Sequence, residues 1–183
     1  MKKDRKIFIT VKDLTFIAML IAMSVAIAIV CKSYLNFGAG LFRVTFENIT
    51  IILAGVLYGP IVGGITGLAS DMIGYLLSGQ TYPPNLIVSL GATMVGVISG
   101  LMARYVFKRR CSLQIILSGG LAHLIGSMII KPIGLYEFYS WAVLWRIPLY
   151  LIIAPLEILL LCLLFKHSAV RKIVKEIDKE KRK

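Results

Sequence analysis

The sequence predicts an all-α integral membrane protein of six transmembrane helices, and three observations predict it. Of 183 residues, 58% are hydrophobic and 16% charged, against the roughly 45–50% apolar share of an ordinary soluble domain. Mean hydropathy is +0.84, and the apolar residues form uncharged runs comparable to the ~20-residue helix that crosses a ~30 Å hydrocarbon core. The 21 Lys and Arg, against 9 Asp and Glu, gather at the chain ends and in short gaps instead of covering a surface. Together these features exclude a soluble nucleic-acid binder, a disordered chain and a disulfide scaffold, and the spans leave no length for a second large domain.

The elements follow in order. Residues 1–13 form a basic tail, residues 14–166 the helical domain and residues 167–183 a second basic, amphipathic tail. Residues 14–31 carry no charge and make the first span. A basic start and Ala26-Ile27-Ala28 also suit a cleaved signal peptide, but several comparable spans follow, which favours a retained helix. Residues 49–77 are too long for one crossing, and Tyr58-Gly59-Pro60 supplies a breaker, so two spans joined by a tight turn are expected there. Residues 86–105, 113–130 and 147–165 complete the six. Cys31, Cys111 and Cys162 lack metal-site or disulfide spacing and read as small apolar filler.

Basic-residue bias orients the bundle. The N-terminal tail, the gap around Lys108-Arg109-Arg110 and the C-terminal tail hold 17 of the 21 Lys and Arg, which assigns both termini to the cytoplasm of a multi-pass plasma-membrane protein. Lys32, Arg43, Lys131 and Arg146 fall at the opposite, outer ends of spans, where a cation has no topogenic role. In the C-terminal tail Val170, Ile173, Val174 and Ile177 repeat at helical spacing among charges, as in a helix lying on an anionic inner leaflet or extending span six. No phosphate-binding loop is present and no Lys follows a Gly, so the chain is not expected to drive transport by hydrolysing nucleotide itself.

Small residues repeat every four positions at Ala18, Ala22 and Ala26, at Gly55, Gly59, Gly63 and Gly67, and at Ala92, Gly96 and Gly100. The glycine sets are expected to pack helices inside the bundle, whereas the alanine stripe suits either internal packing or a second protein. Glu47, Asp71 and Glu157 are carboxylates in or beside apolar spans, where burial is costly unless they are paired, protonated or facing a polar cavity. Asp71 lies at a depth that suits the floor of an outward pocket; Glu157 is deeper and could instead serve backbone groups freed by Pro148 and Pro155. Eleven of 18 aromatic residues cluster toward the outer side, Tyr75, Tyr136, Trp141 and Trp145 among them, interleaved with Arg43, Lys131 and Arg146. That one-sidedness favours a ligand pocket over a simple aromatic belt. The segments 32–42 and 78–85 are expected to cover it, with Asn85 at the mouth of span four, and His123 lacks a second His for a metal site.

With its six short spans, inner termini, alanine stripe and missing engine, the chain resembles the substrate-binding S-components of energy-coupling-factor (ECF) vitamin transporters over nearly its full length. Residues 43–64, RVTFENITIILAGVLYGPIVGG, followed by Asp71 and by YPPNLI at 82–87, are similar to the folate-specific members. The resemblance implies capture of the vitamin from outside and docking of Ala18, Ala22 and Ala26 on a T-component that carries two ATPase subunits. It also implies toppling within the bilayer to release the cargo inside.

Residue chemistry fits folate independently. A pterin offers a flat ring and an amino/NH edge for a carboxylate or amide, and the glutamyl end brings carboxylates that want Arg or Lys. Trp141, Trp145 or Tyr75 would stack on the rings, Asp71 and Asn85 would read the pterin edge, and Arg43, Lys131 or Arg146 would hold the carboxylates, with Glu47, His123 and Tyr136 completing the candidate set. Neither a metal nor a cofactor is expected. Riboflavin or pantothenate is the competing ligand class, and a membrane enzyme the competing function, although no catalytic constellation accompanies the carboxylates.

Overall fold

The computed structural model describes residues 10–37, 42–78, 84–106 and 112–180. The centres of both expected covering loops, the Lys108-Arg109-Arg110 cluster, Cys111, Tyr82 and the outermost basic residues of both tails lie outside these. So do the side chains of Phe37, Phe42, Arg43, Phe138 and Tyr139.

Helix α1 spans Val11–Tyr34 and starts at a capping box, in which Thr10 Oγ1 accepts from the Asp13 amide while Asp13 Oδ2 accepts from the Thr10 amide. A two-stranded ribbon, β1 (Asn36–Phe37) and β2 (Phe42–Arg43), turns the chain back. Helix α2 (Asn48–Tyr58) and helix α3 (Pro60–Leu77) meet at Gly59, whose φ of 99° only glycine adopts freely, and Pro60 opens α3 at a position where its missing N–H is harmless. Helix α4 is Leu86–Leu101, ending in a π-helical turn over Met102–Val106. Helix α5 (Ser112–Ala122), a π-helical stretch (His123–Ile130) and helix α6 (Lys131–Tyr139) form one continuous rod. A 3-10 turn (Ser140–Trp145) leads into α7 (Arg146–Lys166), and α8 (Ser168–Glu180) closes the described chain.

Five helical stretches are long and apolar enough to cross a membrane, and α2, with 11 residues, is shorter. Its rise of about 16 Å is half a bilayer core. The expected second span is therefore a half-helix: residues 44–46 are non-helical and enter the bundle, with Ser24 of α1 donating to the Glu47 carbonyl, so α2 begins at mid-depth. Non-helical backbone at such depth persists only where protein or a polar cavity surrounds it.

Small-residue stripes pack α2, α3 and α4. A methyl group built on Gly63 or Gly67 would overlap the Gly96 or Ala92 carbonyl, and one on Gly55 the Ser99 hydroxyl, so these glycines work as internal contacts, as expected. Ala18, Ala22 and Ala26, by contrast, are all exposed along α1. Phe16, Ile17, Tyr58, Leu161, Phe165 and Ile177 share one apolar cluster, which brings the start of α1, the end of α2, the end of α7 and α8 to the same end of the bundle. We call this the tail end and its opposite the distal end. Helix α8 does not prolong α7, because His167 is extended (φ −66°, ψ 138°) and breaks the rod. Its apolar ridge of Ile173, Val174 and Ile177 turns onto the bundle core and not onto the lipid leaflet that the sequence pattern suggests.

Candidate functional site: a polar seam at mid-depth

Beside the N-terminus of α2 the bundle carries a line of polar side chains. Lys131, only 4% exposed, donates to Glu47 Oε1 at 3.2 Å and to Asn48 Oδ1 at 3.4 Å. Asn48 Nδ2 in turn lies 3.5 Å from Glu157 Oε2, a long hydrogen bond, and His123 Nε2 is 2.7 Å from the same oxygen, with the ring turned off the line of a good hydrogen bond. Ser127 Oγ is 3.4 Å from His123 Nδ1. Asn48, His123, Ser127 and Glu157 are all fully buried.

Local structure explains the convergence. Glu47 stands at the N-cap of α2, where the helix dipole favours negative charge, and that end points into the seam because α2 starts at mid-depth. Asp71 sits on α3, partly buried, and accepts from the Ser89 hydroxyl of α4. Glu157 lies twelfth in α7, and His123, Ser127 and Lys131 recur every fourth residue along the rod of α5 and α6. A void of about 10 Å³, lined by Ser24, Glu47, Ile51, Ser70, Asp71 and Ala92, lies against this seam and has room for about one water molecule. A larger groove of about 360 Å³ opens sideways between α5 and α7, but its walls are apolar apart from Lys166.

The expected site residues thus divide. Glu47, Asp71, Lys131 and His123 gather at the seam, and Arg146 is buried at the distal start of α7. Tyr75 is partly buried on α3. Asn85 is fully engaged in the fold: its Oδ1 caps α4 by accepting from the Ile87 and Val88 amides, and its Nδ2 donates to the Gly134 carbonyl of α6. Trp141 and Trp145 are 73% and 64% exposed, and Tyr136 meets Trp141 edge-on at 5.8 Å, so this trio forms a distal collar outside the seam. Arg43 has its backbone in β2 opposite Asn36. Glu157 meets His123 and Asn48 and not the backbone groups freed by the two prolines. Sequence reading missed Asn48, although it directly follows a candidate carboxylate. Among the described residues no His/Cys/Asp/Glu cluster could hold a metal ion.

A small multi-pass helical membrane protein, with glycine-packed helices, a half-helix aimed inward and a buried charged seam, has the architecture of a membrane binding subunit. Residues 12–174 match the family described as "ECF transporter, substrate-specific component", and the chain belongs to that family. Its members are transporter components. A Mycoplasma pneumoniae relative, named an uncharacterized MG098 homolog, is 36% identical over 101 residues, covering 51% of this chain and 21% of the relative. The folate transporter FolT of Clostridium novyi is 29% identical over 79 residues, 42% of this chain and 46% of that protein. The matches span about a fifth and just under half of these two relatives. A crystal structure of FolT bound with folic acid shares the fold, with a TM-score of 0.67 at 22% identity over 87% of this chain and 95% of that one.

Proposed function

We propose that this chain captures folate at the distal end, which the basic-residue bias makes the exterior of a bacterial plasma membrane, and delivers it by docking on an ECF T-component with two ATPase subunits. The observation that carries the reading is Lys131, buried at mid-depth with Glu47, Asn48 and Asp71 around it. An ammonium has three donors, and Glu47 and Asn48 take two, so a third is available to a carboxylate arriving from the distal side. The likeness to folate transporters supports folate as the bearer of that carboxylate.

In this reading Lys131, Arg146 and Arg43 attract the glutamyl carboxylates. Asp71 reads the pterin edge, and Tyr75, Tyr136, Trp141 and Trp145 supply ring surface at the entrance. Asn85 and His123 hold the walls. A folate molecule is many times larger than the void of about 10 Å³, so capture requires the distal ends of the helices to part. The exposed stripe of Ala18, Ala22 and Ala26 lets another helix approach closely and serves as the T-component face. The chain performs no covalent chemistry and needs no cofactor.

The test is calorimetry of the purified protein with folate, riboflavin and pantothenate. Folate is expected to bind with a nanomolar Kd, about −12 kcal/mol, and the other two not at all. A response to riboflavin or pantothenate without folate would assign another vitamin; turnover of any of them by the chain alone would make it an enzyme. Unchanged folate affinity in both Asp71→Asn and Arg146→Ala would remove these residues from the site.

A further inference from the structure

We propose that Glu157, held by His123 and acting through Asn48, is a positioning residue that fixes Lys131 as the anchor for a ligand carboxylate. The proposal rests on the folate reading for its ligand but on the seam's geometry for its logic. A carboxylate only accepts hydrogen bonds and an ammonium only donates them. Asn48, fully buried between Glu157 and Lys131, satisfies both neighbours in one orientation only, with Nδ2 toward Glu157 and Oδ1 toward Lys131. The flipped amide would set N–H groups against the ammonium and carbonyl oxygen against carboxylate. Glu157 therefore selects the Asn48 rotamer, and Asn48 holds the Lys131 side chain, without either touching the ligand.

The rest of the cluster fits this role. Glu157 Oε2 accepts from Asn48 and has His123 Nε2 beside it, while Oε1 is buried with no hydrogen-bond partner among the described residues. Leaving a buried acceptor unsatisfied is destabilising, so fold stability alone does not explain an acid at this position. His123, backed by Ser127 at Nδ1, sets Nε2 2.7 Å from Glu157 Oε2 without an aligned hydrogen bond, so it confines the carboxylate by contact. Three structural elements are thereby tied: α7 through Glu157, α2 through Asn48, and the rod of α5 and α6 through His123 and Lys131.

The experiment compares folate with pteroamide, whose neutral amide replaces the glutamyl group so that the ligand carries no carboxylate, on Glu157→Met, Glu157→Gln and Asn48→Leu. Glu157→Met and Asn48→Leu should each weaken folate about 10-fold, the scale of one mispositioned hydrogen bond to a charged group, with pteroamide unchanged and the double variant no worse than either single. Glu157→Gln keeps an acceptor oxygen for Asn48 and should retain folate affinity within about threefold. Equal losses for both ligands, or a Gln variant as weak as the Met variant, would overturn the proposal. Melting temperatures without ligand supply an independent reading: the Glu157→Met and Lys131→Met losses should be non-additive when Asn48 is present and additive once it is Leu. Additivity in both backgrounds would overturn the relay, whereas intact coupling in a protein that binds no folate would overturn the folate reading and leave the relay standing.

Discussion

Replacing Lys131 by Met separates its balancing of Glu47 from the ligand-holding role proposed for it. Lys131 is 4% exposed and its Nζ lies 3.2 Å from Glu47 Oε1, so the variant leaves a carboxylate in the bundle without that cation. Breaking a buried pair typically costs about 3–5 kcal/mol, and the low end applies because the Glu47 side chain keeps 16% exposure and has other contacts. A loss of about 3 kcal/mol lowers the melting temperature by roughly 6–12 °C in a chain of this size. Adding Glu47→Gln removes the stranded charge and should restore most of that loss. Folate affinity behaves differently: the charge-assisted bond to the glutamyl group is gone in single and double variants alike, about 1.5–3 kcal/mol or roughly 10- to 150-fold in Kd. Melting curves and calorimetry on both proteins give the comparison. A double variant that binds folate as tightly as the unaltered chain would show that Lys131 serves only to neutralise Glu47.

Three further outcomes follow from the packing. Gly96→Ala drives a methyl into the Gly63 carbonyl across the α3–α4 contact and should destabilise the protein by about 1–3 kcal/mol, read as a lower melting temperature; an unchanged value would mean the helices are not in that contact. Leu at Ala18, Ala22 and Ala26 together should abolish folate uptake in vesicles containing the complete transporter while leaving folate affinity within about twofold, whereas lost binding would return the stripe to internal packing. Ile177→Asp places a charge where the side chain is 5% exposed against the tail-end core, and should release α8 to protease at the cost of about 3 kcal/mol or less. Its folate affinity should not change, because α8 contributes no residue to the seam or the distal collar.

Span positions were legible because lipid imposes a length rule on apolar runs: residues 86–105 became α4 with its π turn, and 147–165 became the body of α7. The half-helix was legible in its length, since the break at Tyr58-Gly59-Pro60 leaves only residues 49–58 before the turn, too few for the full crossing expected there. One-sided aromatic placement revealed the distal collar but not which way its rings face, and Trp141 and Trp145 turn outward. The relay carried a signal that went unused. His123, Ser127 and Lys131 stand four residues apart in an otherwise apolar segment, a polar stripe that a membrane helix keeps only for partners on its neighbours. Their partners, Asn48 and Glu157, are 109 residues apart, and no local pattern links positions so distant.

A bundle of this size would be more stable with apolar side chains at Asn48, His123, Lys131 and Glu157, because desolvating a buried ion pair commonly exceeds its Coulombic return. Retaining the seam is therefore an argument about ligand exchange. In the closed arrangement Glu47 occupies Lys131 much as a ligand carboxylate would, so the site is electrically balanced when vacant. On the proposed reading, a folate carboxylate takes the third Lys131 donor beside Glu47 and Asn48, and only a ligand carrying its own carboxylate repays the cost of entering. The same sharing assists departure: as the distal wall opens, Glu47 still holds Lys131 and balances its charge once the ligand carboxylate leaves. On that proposal, selectivity for an acidic vitamin and reversibility of its capture have one physical source, a buried cation offered to two carboxylates, one of which belongs to the protein.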